Sequence, residues 1–384
     1  MRELDVIVER YEQLKKEGTT SVLATVVHVD GSSYRRSGAR MLIDEYGNIT
    51  GAISGGCLEG DALKKALLAL HQNKNKLITY DTSDEDDVVI GAQLGCNGII
   101  RVLFEPLNYD DDQNACEILS KTMDQREPTA IGVLFNLDAT LTQLGTIVVV
   151  NDNLDALNQN ENFELLNTIS SELKSTFQKA HNTFSEIFFK HANHHLFLQY
   201  YLPAVKLVIV GAGNDAQILA QQADLLGWKV IVTDGRTTHA NTDRFTSSCQ
   251  IIVSKPELTL NHIEIDSRTC VVLMSHNYHY DLEVLKLLIP QIEIPYIGIL
   301  GPLKKWQKMQ DDLESQGFEI TQKLLHKIHA PVGLDLAAET PAEIGLSILA
   351  EIQAVITKSS AQPLKNKKQP IHERIDSNFK TTAS

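Results

Sequence analysis

The segment VKLVIVGAGNDAQILAQQADLLGWKVIVTDGR, residues 205–236, constrains the fold more than any other part of the chain. It runs from an apolar strand through a glycine turn into a helix and then a second apolar strand, which is the order of a β-α-β unit. Its turn, GAGNDA, has the G-x-G-x-x-A spacing that permits a tight turn and a close approach of the backbone to a phosphate. The sequence therefore predicts a Rossmann-like domain in this part of the chain.

The carboxyl edge of this predicted sheet carries residues that a nucleotide would contact. Asp234 ends the second strand and can accept hydrogen bonds from a ribose, and His276 follows a later strand, TCVVLMS. Rossmann-like domains also serve other ligands or none, so NAD(P), another nucleotide and an empty turn all stay open. The candidate nucleotide-binding residues are Gly211, Gly213, Asn214, Asp215, Asp234 and His276.

The order of predicted elements changes at Pro203, and 384 residues are long for a single hydrophobic core. Strands and helices in mixed order favour a mixed α+β domain over residues 1–202. Strands that alternate with helices favour a doubly wound parallel sheet over residues 203–357, so the fold class is α/β. Its last helix should begin with the capping box of the segment TPAE. The Lys-rich residues 358–384 lose the apolar pattern and are expected to form a mobile tail.

Two cysteines lie in glycine turns, GGCLEG around Cys57 and LGCNG around Cys96. Cys57 directly precedes a predicted helix, whose dipole and free N–H groups favour a thiolate, and Glu59 beside it can serve as a proton or hydrogen-bond partner. Gly55 and Gly56 leave room for a ligand. From spacing alone, a small residue packed beneath each turn is the commoner outcome. With no C-x-x-C pair, a zinc site is not expected.

A cluster of arginines in SSYRRSGAR, residues 32–40, is unusual in an acidic chain. Arg35, Arg36 and Arg40 suit a phosphate or another anion, and the serines and glycine of the segment are typical of an anion-binding loop. The alternative is a solvated, charged loop.

Composition excludes several classes of function. A net charge of −14 argues against a nucleic-acid or anionic-membrane binder, and five cysteines without framework spacing fit a reducing compartment. The N-terminus reads as a charged amphipathic helix, and no apolar run approaches a membrane span, so a cytoplasmic protein is expected. Hydrolase and P-loop motifs are absent from the sequence.

Taken together, these blocks resemble the XdhC/CoxI family, the accessory proteins that mature molybdenum hydroxylases such as xanthine dehydrogenase. The resemblance covers both predicted domains in order and leaves residues 107–200 without a clear match. Many members show a G-C-G-G type turn where this chain has GCNG. The matching segments are LATVVHVDGSSYRRSGARMLI, GAISGGCLEGD, LGCNGIIRVLFEP, LVIVGAGNDA, VTDGR, VVLMSHNYHYDLEVL, YIGILGPLKK, APVGLDLAAETPAEIGLSILAEI and PLKNKKQPIH.

The resemblance implies a chaperone that binds molybdenum cofactor, as molybdopterin or its dinucleotide form, protects it while a sulfido ligand is installed and assists its insertion. It implies an apo molybdenum hydroxylase and a cysteine desulfurase as partners, and a homodimer. Cys57 and Cys96 would then be thiolates that handle sulfur or cofactor, and the arginine loop and the Rossmann helix would suit an anionic end.

Two other functions compete with this one. An NAD(P)-dependent oxidoreductase would use the GAGNDA turn with His276 as proton donor. A nucleotide-sensing regulatory protein would use the same turn to control a partner. The resemblance favours a cofactor-binding maturation factor over an enzyme that turns over substrate.

Overall fold

A computed structural model describes residues 2–31, 34–81, 98–123, 125–151, 163–245 and 249–368. The chain divides into two compact units, one over Glu3–Pro203 and one that begins at Ala204. Within the described ranges, no helix combines the length and apolar character needed to cross a membrane. Cys96 and most of the predicted tail lie outside the described residues.

The first unit contains five helices and nine strands within its described part. In chain order they are α1 (Arg2–Glu17), β1 (Ser21–Gly31), β2 (Arg40–Asp44), β3 (Ile49–Gly51), α2 (Glu59–Gln72), β4 (Lys76–Asp81), β5 (Gly98–Pro106), α3 (Ala115–Ser120), β6 (Thr129–Phe135), β7 (Gly145–Asn151), α4 (Phe163–Thr168), α5 (Ser170–Lys179), β8 (Thr183–Phe189) and β9 (Ala192–Tyr201).

Strand β1 lies at the centre of an antiparallel five-stranded sheet with the order β3-β2-β1-β5-β4. Val22, Ala24 and Val26 on one face of β1 pack in the same core as the small residues of α2. Alternate residues such as Leu23 and Val27 are buried on the opposite face. Because both faces are covered, the strand reads as a continuous apolar run rather than as an alternating one.

The described strands of the segment that showed no clear family resemblance, residues 107–200, form a second antiparallel sheet with the order β7-β6-β9-β8. Phe135 and Phe197 of this sheet share a core with Val27 and Leu103 of the first sheet. Helices α4 and α5 cover its other face. The first unit is therefore a sandwich of two sheets with a helical layer on each outer face.

A buried carboxyl group, that of Glu105 in β5, ties the two sheets together. Glu105 accepts hydrogen bonds from the N–H of Thr146 at 2.6 Å and from its hydroxyl at 3.0 Å. Burial raises the pKa of Glu105 to about 7, against the opposing hydrogen bonds from Thr146. The ionised form of Glu105 is thus disfavoured in the folded protein.

Replacement of Glu105 by Gln tests this charge. Between the ordinary carboxyl pKa of 4.5 and about 7, the folded chain holds a proton that the unfolded chain releases, so this group makes the free energy of unfolding fall as pH rises. Glu105→Gln keeps an acceptor for Thr146 and should flatten that slope, with the gain in stability largest at pH 8. Denaturant titrations from pH 5 to 8 measure it, with Glu9→Gln on the exposed face of α1 as control. Parallel wild-type and Glu105→Gln curves would contradict the assignment.

The second unit contains five helices and six strands within its described part, with two short 3₁₀ turns. In chain order the helices and strands are β10 (Lys206–Val210), α6 (Asn214–Leu225), β11 (Lys229–Asp234), β12 (Gln250–Val253), β13 (Thr269–Leu273), α7 (Tyr278–Leu288), β14 (Tyr296–Ile299), α8 (Leu303–Ser315), α9 (Gln322–Lys327), β15 (Ile328–His329) and α10 (Pro341–Thr357).

All neighbouring strands of the second unit are parallel, in the order β12-β11-β10-β13-β14-β15. This is the 3-2-1-4-5-6 order of a Rossmann sheet, with α6 and α10 on one face and α7 and α8 on the other. The predicted fold class is confirmed in both units. The predicted capping box is confirmed as well, because Thr340 and Glu343 exchange hydrogen bonds at the start of α10.

Gly211 directly follows β10 and lies against the segment that follows β13. Its φ is +115°, and a Cβ there would lie 2.5 Å from Ser275 Cα. Gly213 has an ordinary φ of −70°, and a Cβ there would meet only the His276 ring at 3.7 Å. The first glycine is therefore required by backbone geometry and packing, whereas the second is not.

These two glycines form a matched pair for stability measurements. Gly211→Ala should lower the free energy of unfolding by at least about 2 kcal/mol, through strained backbone and overpacking. Gly213→Ala should cost about 1 kcal/mol or less, the effect of an unfavourable residue at a helix N-cap. Chemical denaturation of both variants measures the difference, and equal losses would contradict the packing at Ser275.

Candidate functional site

The turn that carries Cys57 is organised by a buried serine that the sequence motifs did not single out. Ser54 Oγ accepts hydrogen bonds from the N–H groups of Gly56 at 3.2 Å and Leu58 at 3.1 Å. The Cys57 thiol donates to the same oxygen, with Sγ 3.5 Å away. Ser54 thereby fixes the half-buried sulfur directly ahead of α2.

Glu59, the first residue of α2, acts on this turn through Ser54. Its carboxylate accepts the Ser54 N–H at 2.8 Å and the Ser54 hydroxyl. Burial tends to raise the pKa of Glu59, but the hydrogen bonds from Ser54 outweigh it and hold the pKa below its usual value. Because the single hydroxyl proton of Ser54 goes to Glu59, Ser54 can only accept from Cys57, which matches a thiol S–H donor.

The two glycines before Cys57 have different roles. Gly56 has a φ of +109°, which favours glycine on conformational grounds. Gly55 is free of that constraint, but a Cβ there would lie 3.1 Å from Cδ1 of the Tyr34 ring. Gly55 therefore allows the arginine loop, residues 34–40, to contact the Cys57 turn.

A bridge from α1 joins the arginine loop to Ala52, in the segment that leads into the Cys57 turn. Glu3 accepts from Arg35 Nη1 at 2.9 Å with one carboxylate oxygen and from the Ala52 N–H at 3.2 Å with the other. Arg35 is thus partly neutralised by Glu3. The sequence pattern marked α1 only as an amphipathic helix and gave no sign of this bridge.

The three predicted arginines lie in three different environments. Arg36 is exposed and has no ion-pair partner among the residues that the structure describes. Partial burial lowers the pKa of Arg36, but a guanidinium stays charged at neutral pH. Arg40 is only 3% exposed, and its Nη1 donates to Gln199 at 2.6 Å between the two sheets. Arg40 therefore stands apart from the other two, and Arg36 is the cation open to a ligand.

The β1–β5 register brings the second cysteine turn's strand to the same end of the sheet. Gly31, which leads into the arginine loop, is paired with Gly98, two positions after Cys96 in sequence. Next to this pair, Arg101 Nη1 donates to Asp30 at 3.0 Å and lies 2.8 Å from His28 Nδ1. Burial lowers the pKa of His28 to about 4, so a neutral imidazole faces the guanidinium. No sequence motif had singled out His28 or Arg101.

In the second unit, the predicted ribose acceptor is already engaged. Asp234 accepts the Ala212 N–H at 2.8 Å and two hydrogen bonds from the Arg236 guanidinium at 2.9 and 2.7 Å. Burial tends to raise the pKa of Asp234, but these bonds hold it below its usual value. The carboxylate thus braces the glycine turn and holds Arg236.

The remaining Rossmann candidates gather at the switch point between β10 and β13. His276, at a φ of +57°, lies with Nε2 3.5 Å from Asp215 Oδ2, beside Gly213. Asn214 Oδ1 accepts from Arg244 at 3.0 Å. Below this loop, the buried Asp281 carboxylate pairs with Lys305 at 2.7 Å and accepts from the Ser275 hydroxyl at 2.5 Å. This network holds the His276 loop in its left-handed conformation.

Metal coordination has little support in the described part of the chain. None of its groups of three or more His, Cys, Asp or Glu side chains is arranged to hold a metal ion. The groups that the site of the first unit offers to a ligand are the Cys57 thiol, the Tyr34 ring and the Arg36 guanidinium.

The fold and site define a protein with a thiol-bearing unit followed along the chain by a Rossmann unit. Models of the XdhC and CoxI family and of the XdhC Rossmann domain match residues 14–81 and 207–352, respectively. The chain belongs to the XdhC/CoxI family.

Two relatives align over most of this chain. A Bacillus subtilis protein named as a probable xanthine dehydrogenase subunit is 28% identical, covering 91% of this chain and 95% of its own. The Escherichia coli molybdenum cofactor insertion chaperone PaoD is 25% identical, covering 88% and 84%. A crystal structure from Bacillus halodurans, described as a xanthine dehydrogenase, is 26% identical with a TM-score of 0.67, covering 94% of this chain and 99% of that one.

The hydrogen bonds around Ser54 predict how Glu59 affects the thiol. In Glu59→Gln, the amide can donate to Ser54, which frees the serine proton to stabilise a Cys57 thiolate, and a nearby negative charge is lost. Alkylation of Cys57 by iodoacetamide at pH 7 should become several-fold faster, as followed by peptide mass spectrometry. Glu45→Gln serves as control, and the buried Cys116 and Cys270 should stay unmodified in both. Slower or unchanged alkylation would contradict the proton arrangement.

Proposed function

We propose that this protein binds molybdenum cofactor and delivers it to an apo molybdenum hydroxylase, as a chaperone rather than an enzyme with turnover. The observation that carries the proposal is the joining of the arginine loop to the Cys57 turn, through the Tyr34–Gly55 contact and the Glu3 bridge. Two segments predicted to serve different ends of one ligand are thereby held side by side. The name of the PaoD relative supports the same function.

The chemistry of the cargo matches the groups at this site. Molybdenum cofactor carries a phosphate and a metal held by soft dithiolene sulfur. Arg36, the exposed arginine, would bind the phosphate through charge-assisted hydrogen bonds. The Cys57 sulfur would approach the metal end, because soft thiolate ligands suit such centres. Glu59 and Ser54 would position that sulfur without contacting the cargo.

The finer assignments extend this proposal. Sulfuration of the bound cofactor would take sulfur from a cysteine desulfurase, and Cys57 and Cys96 are the thiols that would relay it. The protein would act in the cytoplasm as a homodimer. Its two domains would span residues 1–202 and 203–357. Xanthine dehydrogenase is the client that the relatives' names favour.

The geometry of the Rossmann turn weighs against the oxidoreductase alternative. A dinucleotide's ribose would have to displace Arg236 from Asp234. Its pyrophosphate would meet the Asp215 carboxylate, which already lies in the first turn of α6.

Co-purification tests the proposal. The full chain, expressed beside an intact cofactor pathway and purified without oxygen, should release molybdopterin, which oxidation converts to a fluorescent pterin. Arg36→Ala should retain about tenfold less, since a hydrogen bond to a charged group contributes about 1.5–3 kcal/mol. Cys57→Ala should also retain less, because the contact of the sulfur with the metal end is lost. Arg36→Ala should keep its stability within about 0.5 kcal/mol.

Lys64→Ala removes an exposed cation from α2 and is the matched control for Arg36→Ala. A wild-type chain that carries no pterin would overturn the cofactor-binding function. Wild-type pterin content in both Cys57→Ala and Arg36→Ala would instead show that the cofactor binds elsewhere on the chain.

A further inference from the structure

We propose that Tyr34 is a stacking platform for the pterin ring of the cargo, and that the lack of a side chain at Gly55 lets the tyrosine ring pack against the backbone there. This inference rests on the proposed function and names the residue that would recognise the pterin itself. The arginine and the thiol account for the two ends of the cofactor but leave its pterin ring without a partner.

The first observation is how the ring is seated. A Cβ on Gly55 would lie 3.1, 3.2 and 3.4 Å from Cδ1, Cγ and Cε1 of Tyr34. Three nearly equal distances place Gly55 over the face of the ring, since an approach in the ring plane would leave the two neighbouring carbons much farther away. One face of Tyr34 is therefore supported by backbone.

The second observation is that the rest of the ring is open. Tyr34 is 76% exposed, which is high for a large side chain with one face supported. An aromatic ring held against backbone on one side and open on the other can stack on a flat ligand at little cost in side-chain order. Conjugated heterocycles stack on such rings whatever their substituents, because every one presents a π-face.

The third observation is the chemistry on either side of the ring. Arg36 is two positions further along the loop, and Cys57 is two positions beyond Gly55. A cation and a soft sulfur therefore lie two positions along the chain from the two residues, Tyr34 and Gly55, that form the ring contact. This combination suits a pterin that bears both a phosphate and sulfur ligands, which is the composition of molybdopterin.

Tyr46 provides a matched control within the same unit. It is also 76% exposed and lies in the turn between β2 and β3. Its neighbour Gly47 would place a Cβ near Leu63 and not near a tyrosine ring. Tyr34 and Tyr46 are thus equally exposed tyrosines. They differ in that only the Tyr34 ring packs against a glycine of the Cys57 turn.

The probe is neopterin, a fluorescent pterin without phosphate or metal, titrated with the full-length protein. Stacking on Tyr34 should quench its fluorescence, and Tyr34→Ala should weaken binding by about tenfold to one-hundredfold. Tyr34→Phe keeps the ring and should bind like wild type, as should Tyr46→Ala. Gly55→Ala should weaken binding because its Cβ pushes the ring away, while Lys64→Ala should leave neopterin binding unchanged.

The outcomes separate this inference from the proposed function. If the wild-type chain co-purifies with molybdopterin but Tyr34→Ala binds neopterin as well as wild type, the platform is excluded and the chaperone function stands. The platform is excluded as well if Tyr34→Ala keeps the cofactor yet fails to activate an apo-hydroxylase, since Tyr34 would then serve the protein partner. Binding of neopterin that depends on Tyr34, in a chain that never carries molybdopterin, would support the platform and defeat the cofactor assignment.

Discussion

The pairing of β1 with its two neighbours is the constraint on which the first unit depends. The strand is buried on both faces, so a shift of one residue would exchange its two sets of core side chains and is strongly disfavoured. That fixed register decides where the arginine loop leaves the sheet and which residue of β5 lies opposite it. The loop could not meet the Cys57 turn if either strand slipped.

Much of the second unit could be predicted from local signals alone. A glycine turn between two apolar strands, a capping box and alternating elements are each readable within a short window, and they agree with one another. The observed strand order follows from them with few alternatives. The pairing of β6 with β9 in the four-stranded sheet of the first unit was harder to predict, because these two strands are distant in the chain and carry no local motif.

The candidate site shows the same division between local and distant information. Cys57, Gly56 and Glu59 could be chosen from one short segment. Glu3 could not, since its contact with Arg35 depends on how α1 packs. Ser54 could not be chosen from the sequence either, because a serine before a glycine turn is common. Its structural role depends on three donors that converge on its hydroxyl oxygen. Arg40 was grouped with Arg36 because the two are close in sequence. In the structure, the alternation of side chains along β2 places Arg40 between the sheets.

The single proton of the Ser54 hydroxyl has a wider consequence. A hydroxyl can donate to one anion at a time, so a thiolate at Cys57 and the carboxylate of Glu59 would compete for it. Whatever removes the thiol proton also loosens the bond that anchors the first residue of α2. A ligand that binds the sulfur as thiolate would therefore act on a hydrogen bond at the start of α2, and this helix lies against the central sheet. Transfer of the Ser54 hydroxyl hydrogen bond from Glu59 to Cys57 would thus change a contact of the helix that packs on the core of the first unit.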